Sequence, residues 1–269
     1  MIIINLHGGL GNQLFQIAFG YSLFKKYNAN VRYFHNDKSN THSNKDYFTN
    51  YFIKCPINKI NEIPQPSFLY QEKPEDVYKY NCINLPNLKN NYFFYGYFQN
   101  ENYFKEYYDE IIGFLKNDKI CNQLNNDYPN LENSFFIHFR RGDFTNNNFH
   151  EVNNDLYFTK SIEYISTYLE NYETTNFYIL SDNIEYSKNY LPFKNLPNLN
   201  FIESLDEIET LYFMSECKKG GICSNSTFSW WGSYMNTNKD KLVIQPKKWL
   251  NCDWDQSGIC YTNTVIIES

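Results

Sequence analysis

The chain is short of positive charge: 24 Lys and Arg stand against 30 Asp and Glu, a net charge of -6. That excludes a sequence-independent nucleic-acid binder, which needs a basic stripe to neutralise phosphates. It has no Cys-x-x-Cys pair. The seven cysteines (Cys55, Cys82, Cys121, Cys217, Cys223, Cys252, Cys260) are scattered, and the five histidines do not stand near them at zinc-like spacing. No metal is therefore expected, and unpaired thiols fit a reducing cytoplasm. The opening Met1-Ile2-Ile3-Ile4-Asn5-Leu6 has neither the length nor the basic start of a signal sequence or membrane span. The expectation is a cytoplasmic chain without a transmembrane segment. Internal repeats are missing as well, and the asparagine tracts are compositional. Aromatic residues are what the chain has in excess, 25 Tyr and 23 Phe. They are spread along its whole length, which reads as core and filler.

With 269 residues the chain can bury one large core or two ordinary ones. Ile2 to Leu6 is a β-branched run that breaks at His7-Gly8-Gly9-Leu10-Gly11-Asn12-Gln13, after which Leu14, Phe15, Ala18 and Tyr21 recur at helical spacing. Strand, glycine turn and helix open a doubly wound α/β unit. Val31 to Phe34 and Tyr92 to Phe98 read as further strands, and Glu101 to Leu115 as a helix. Residues 117–133 are polar and asparagine-rich around Pro129, and are the best candidate linker. Beyond it, strands at 134–138, 177–180, 199–202, 221–223 and 242–244 alternate with helices at 155–170 and 207–217, and with one ending near Tyr234. Alternation of this kind implies parallel sheets. The expected architecture is α/β in two lobes, residues 1–130 and 131–269, with the tail 250–269 packing back on the first.

Four segments carry candidate chemistry. His138-Phe139-Arg140-Arg141-Gly142-Asp143-Phe144 follows a buried apolar run and sets two guanidiniums at a strand end. Arg is a planar, permanently charged fork suited to phosphate oxygens, so the segment is either a diphosphate clamp or an Arg–Asp143 surface pair. Ser224-Asn225-Ser226-Thr227-Phe228-Ser229-Trp230-Trp231-Gly232 runs from a strand into a helix. It would offer hydroxyls and unpaired backbone N–H groups to an anion, while Trp230 and Trp231 pack the helix on the sheet. The glycine turn lacks the third glycine of the dinucleotide fingerprint, and reads equally as a tight turn or a close approach to a ligand. Ser181-Asp182-Asn183 offers a carboxylate to a nucleoside, or caps a helix. Asp253-Trp254-Asp255 has the form of a metal-binding pair but lies in the tail and reads as surface carboxylates.

Taken together with Gln245-Pro246-Lys247-Lys248-Trp249 and Ser181 to Tyr186, these segments resemble, in order and over nearly the whole chain, the α-1,2-fucosyltransferase family, glycosyltransferase family 11. The resemblance implies a GT-B-type fold, two Rossmann-like lobes with parallel sheets facing a cleft. It implies transfer of L-fucose from GDP-fucose to the 2-OH of a terminal galactoside of a glycan acceptor, with inversion and without a metal. Carried over by residue, Arg140 holds the β-phosphate, His138 borders the nucleotide and Asp182 faces the guanosine. Ser226, Thr227 and Phe228 line the diphosphate, and Asn12, with Gly9 and Gly11, reaches the donor from the other lobe. Asn183 departs from the acidic residue common at its position. Residues 35–90 match no family segment, and acceptor choice is expected there. For the general base Asp143, His150 and Glu151 stay open, as does a mechanism without one. The alternatives are a fucosyltransferase of other linkage or acceptor (α-1,6 or protein O-fucosylation) and a non-catalytic nucleotide-sugar or glycan binder.

Overall fold

In the computed structural model the described residues are 1–35, 45–52, 54–141, 147–150, 152 and 154–269. The first strand, β1 (Ile2–Leu6), is buried along its length, as its β-branched sequence requires. It runs into α1 (Leu10–Tyr27), which starts at Gly9 and stops at Asn28, a left-handed residue (φ 45°) after Lys25 and Lys26 in the last turn. The other strands of this sheet are β2 (Val31–His35), β3 (Lys59–Ile60), β4 (Phe68–Gln71) and β5 (Tyr92–Tyr95), joined in part by the short α2 (Tyr47–Tyr51). Their order is β3-β2-β1-β5-β4 and every pairing is parallel. Phe19 of α1 stacks on Phe98 at 3.9 Å and meets Phe94 edge-on at 5.5 Å, which seats the helix on the sheet.

Residues expected to form one helix, Glu101 to Leu115, divide into two short 3-10 turns and α3 (Tyr108–Leu115). The stretch read as a linker is instead α4 (Asp118–Asp127). Asn117 caps it through Lys119 and Ile120, and it buries Cys121 and Leu124. Its polar composition hid a two-position apolar contact.

The second sheet holds β6 (Ser134–Phe139), β7 (Asn176–Ser181), β8 (Leu199–Ile202), β9 (Gly220–Ile222), β10 (Leu242–Pro246) and β11 (Val265–Ile267). All neighbours are parallel, in the order β11-β10-β9-β6-β7-β8. β10 was expected to close the series; β11 adds one more edge strand. The helices α5 (Asn154–Tyr168), α6 (Ile184–Lys188), α7 (Glu207–Glu216) and α8 (Thr227–Tyr234) alternate with these strands. α7 opens with a capping box, Asp206 and Glu209 each bonding the other's backbone N–H. Phe135, Ile137 and Phe139 of β6 pack with Phe158, Ile165, Phe177 and Phe193 as a continuous core. At Gly221 a Cβ would stand 2.3 Å from the Phe136 ring, so only glycine lets β9 lie this close.

The chain divides into two compact units. One is Met1–Leu115 with Trp254–Tyr261, and the other is Lys116–Asp253 with Thr262–Ser269. Of the tail 250–269, Trp254–Tyr261 is the part that groups with the first sheet. A Cβ on Gly258 would fall 2.0 Å from the Tyr78 carbonyl oxygen, and its backbone is seated there for want of a side chain.

Candidate active site

In an open parallel sheet the ligand crevice lies past the carboxyl ends of the strands, where strand order reverses. In the second unit the chain moves outward from β6 to β7 and β8, then returns on the other side through β9. The reversal therefore falls between β6 and β9. The end of β6 carries His138, Arg140 and Arg141 leave it, and Ser224 to Thr227 follow β9 on the other side.

The two strand ends are joined by a hydrogen bond: Ser224 Oγ lies 2.8 Å from His138 Nδ1. The Phe228 ring stands 5.6 Å from the imidazole, tilted by 60°. Burial, and after it the neighbouring Arg140 charge, bring the His138 pKa down from 6.5 to about 3. The imidazole is neutral at physiological pH, and the positive charge of this corner belongs to Arg140. Arg140 itself is half-buried just past β6.

Ser226 caps α8, its oxygen accepting from Phe228 N at 3.4 Å. The hydroxyl cluster expected to face an anion is largely committed inward. Ser224 is bonded to His138, Ser226 is the cap, and Ser229 Oγ donates to the Ser226 carbonyl at 3.2 Å. What the segment offers a ligand is the N-terminal end of α8, whose first turn carries no acidic side chain. Trp230 and Trp231 are fully buried and meet at 5.1 Å, so they pack as expected. The loop is braced from below: Tyr157 Oη donates to the Cys223 carbonyl at 2.6 Å and to that of Ile244 at 3.2 Å.

Asn225, which the sequence does not single out, is 6% exposed, and its amide donates to the carbonyls of His150 (3.1 Å) and Trp249 (2.8 Å). It thereby holds the His150 backbone beside the Ser224–Ser226 loop. Asp143 and Glu151, the other two candidate bases, lie outside the described residues. Asp182 accepts the Arg141 backbone N–H at 2.8 Å, linking the ends of β6 and β7. The α6 cap is Asn183, which accepts from Tyr186 N at 3.1 Å. So the residue that departs from the family's acidic pattern performs the capping. The Arg141 guanidinium lies 3.7 Å over the Tyr186 ring, a cation–π contact that sequence pattern alone does not reveal.

In the first unit, the positive φ of the glycine turn falls on Gly8 (+78°), neither Gly9 nor Gly11; a Cβ there would meet the Asn12 side chain at 2.6 Å. Gly9 is the N-cap of α1 and Gly11 is buried in its first turn. Asn12 Oδ1 accepts from Gln99 Nε2 at 2.8 Å, a partner that the sequence does not suggest. Asp255 accepts from the backbone N–H and hydroxyl of Ser257, opening a short 3-10 turn. Among the described residues no group of three His, Cys, Asp or Glu side chains is placed to hold a metal ion. No helix among them is long and apolar enough to cross a membrane.

The chain matches the family model of glycosyl transferase family 11 over residues 69–259. It is 29% identical to an alpha-1,2-colitosyltransferase of Escherichia coli, across 93% of this chain and 92% of that protein. It is 30% identical to the O-antigen biosynthesis glycosyltransferase WbnK of Escherichia coli, across 91% and 93% of the two chains. Among solved structures it resembles the fucosyltransferase NodZ from Bradyrhizobium, with a TM-score of 0.56 at 9% identity over 86% of this chain and 91% of that one. The NodZ alpha-1,6-fucosyltransferase soaked with GDP-fucose gives a TM-score of 0.52 at 9% identity, over 87% and 91% of the two chains. At that identity the likeness concerns the fold alone, which is of GT-B type. The chain is a glycosyltransferase and belongs to glycosyl transferase family 11.

Proposed function

We propose that the chain transfers L-fucose from GDP-fucose to the 2-OH of a terminal galactoside, inverting the donor's β-linkage to an α-fucoside without a metal. The observation that carries this reading is the corner at the β6–β9 reversal. There His138 and Ser224 tie the two strand ends together beside Arg140 and the start of α8. As the glycosidic bond breaks, GDP departs with growing negative charge and the sugar becomes oxocarbenium-like. The main electrostatic task is then to stabilise the leaving diphosphate. Arg140 supplies a fixed positive charge, and the α8 N-terminus supplies oriented N–H dipoles. His138, neutral and bonded to Ser224, adds a rigid wall and no charge. One such electrostatic donor is worth roughly 3 kcal/mol, about a hundredfold in rate. His150 is the described candidate for the base that takes the acceptor's proton.

A second reading differs at the sugar. The likeness to an alpha-1,2-colitosyltransferase favours a donor carrying colitose, the 3-deoxy counterpart of fucose, with the same α-1,2 linkage. The test is incubation with GDP-fucose, or with GDP-colitose, and a panel of galactosides, with and without EDTA, reading product linkage by NMR. The fucosyl reading predicts an α-1,2 product that survives EDTA. It also predicts loss of at least about a hundredfold in kcat/KM on Arg140→Lys, whose ammonium lacks the planar fork. Strict dependence on Mn²⁺, or full activity in that variant, would overturn it.

A further inference from the structure

The helix whose start faces the donor corner has its other end seated on a cation. α8, Thr227 to Tyr234, contains no Asp, Glu, Lys, Arg or His, so any charge on its axis comes from outside it. Residues 231–236 are all buried, and the carbonyls left unbonded where the helix stops cannot rely on water. Lys241, the residue before β10, supplies them. Its Nζ donates to the Ser233 carbonyl at 2.8 Å and to the Asn236 carbonyl at 2.5 Å.

The helix is held rigidly between its two ends. The Cys223 thiol donates to the Ser229 carbonyl at 3.3 Å and reaches Ser233 Oγ at 3.4 Å, and the Trp230 ring stacks on Tyr234 at 4.5 Å. At Gly232 a Cβ would stand 2.7 Å from that of Met214, which presses α8 against α7. The ionisable groups that act on Lys241 are Cys223, just past β9, and Lys218, itself paired with Glu216 at 2.9 Å. Its chain neighbours Lys239 and Asp240 are exposed. Burial brings the Lys241 pKa from 10.5 to about 8, with the Cys223 thiol opposing the fall and the Lys218 charge adding to it. The ammonium is therefore charged at neutral pH and loses its charge in the mildly alkaline range.

A cation at the carbonyl end cancels the negative pole of the helix, and its own field adds to that of the N–H groups at the opposite end. We infer that Lys241 is a positioning residue of the donor site: seated on the last carbonyls of α8, it fixes that helix and strengthens the hold of its N-terminal end on the diphosphate of a nucleoside-diphosphate sugar. This rests on the reading of the β6–β9 corner as the diphosphate site. Eight helical residues span about 12 Å, and a bound oxygen adds about 3 Å. At an effective dielectric of about 20, one unit of ligand charge then feels the ammonium by about fivefold in affinity.

GDP is titrated by calorimetry into the wild type, Lys241→Arg and Lys241→Met at pH 7.5 and pH 9.0. Arginine keeps its charge throughout, and titration of GDP itself is common to the three proteins. At pH 7.5 the wild type should match Lys241→Arg, and at pH 9.0 it should bind GDP about threefold to fivefold more weakly than that variant. Lys241→Met should stand about fivefold below Lys241→Arg at both pH values. At pH 8.5 the wild type should also take up about 0.4 proton with GDP, read from buffers of different ionisation enthalpy, and neither variant should. A purely structural cap would lower the unfolding midpoint of Lys241→Met without this pH dependence or proton uptake. Should Lys241→Met fail to fold, the wild type and Lys241→Arg decide between them. Wild type and Lys241→Arg that track each other from pH 7.5 to pH 9.0, or GDP binding without proton uptake, overturn the inference and leave the donor reading standing. GDP that does not bind the wild type overturns the donor reading and this inference with it.

Discussion

Acidification from pH 7.5 to pH 5 should destabilise the second unit through His138. In the folded chain its pKa sits at about 3 instead of 6.5, because its ring is 6% exposed and stands near Arg140. The unfolded chain takes up a proton as pH falls through 6.5, while the folded ring stays neutral until near 3. Stability is therefore whole above pH 6.5 and drains away through that window. At pH 5 the unfolded ring is favoured by protonation by about 1.5 pH units, or about 2 kcal/mol at 1.36 kcal/mol per unit.

The measurement is urea unfolding of the wild type and His138→Gln at pH 7.5 and pH 5.0. Glutamine cannot titrate, and its amide can still meet Ser224 Oγ. His7, depressed to about 4 for the same reason of burial, is present in both proteins and cancels. The stability difference between wild type and variant should shift by about 2 kcal/mol in favour of the variant on going to pH 5. Profiles that stay parallel within about 0.5 kcal/mol would mean that the folded ring titrates like a solvated one, and the reasoning about burial would be refuted.

Glu72 should act in the opposite direction. Burial raises its carboxyl to about 7 despite the N–H groups of Tyr97 and Phe98, so the unfolded chain ionises from about pH 4.5 while the folded one resists. Its contribution falls as pH rises through that window, and Glu72→Gln should gain about 2 to 3 kcal/mol on the wild type between pH 5 and pH 8 by the same urea assay. Gly220→Ala should be severe. Its φ is +107° and a Cβ would stand 2.0 Å from the Leu242 carbonyl oxygen, so a loss of about 3 kcal/mol or more is expected in the unfolding midpoint, against less than about 1 for Gly113→Ala, where nothing lies within 4 Å.

Where the local pattern carries its own period, sequence and structure agree closely. β1 needed only its β-branched run, and β8 is the predicted Leu199–Ile202. The Ser224–Trp231 segment enters a helix as its Ser-Thr sequence suggests. The divergences come where burial is decided by partners far along the chain. α4 looks like a linker because two buried residues suffice once α7 lies against it. β4 and β11 are short edge strands whose identity is set by pairing to β5 and β10. Within the site, the Arg140–His138 corner could be read from residue types alone. The Arg141–Tyr186 stack, the Asn225 brace and the Gln99–Asn12 bond could not, since each joins segments with no local periodicity in common.

The two sheets solve the same topological problem with different chemistry. Each has a reversal beside its first strand, and each places a histidine where that strand ends: His7 after β1, His138 within β6. Burial keeps both rings neutral, so neither can be the cation of its crevice. At β6 the charge arrives two residues later as Arg140, opposite a helix N-terminus, and the crevice is electropositive without any metal ligand set among the described residues. At β1 no arginine follows. The sequence turns through Gly8 and Gly9 into an α1 whose first turn carries no acidic residue, and the crevice is walled instead by Tyr95 and Tyr97. A diphosphate leaving group needs the first environment and gains nothing from the second, which offers it no fixed positive charge. A single arginine placed at the β1 reversal, as in Tyr95→Arg, should therefore fail to strengthen GDP binding, since it lacks the helix N-terminus that stands with Arg140 at β6. Tighter GDP binding in that variant would show that the diphosphate does not depend on the β6–β9 corner.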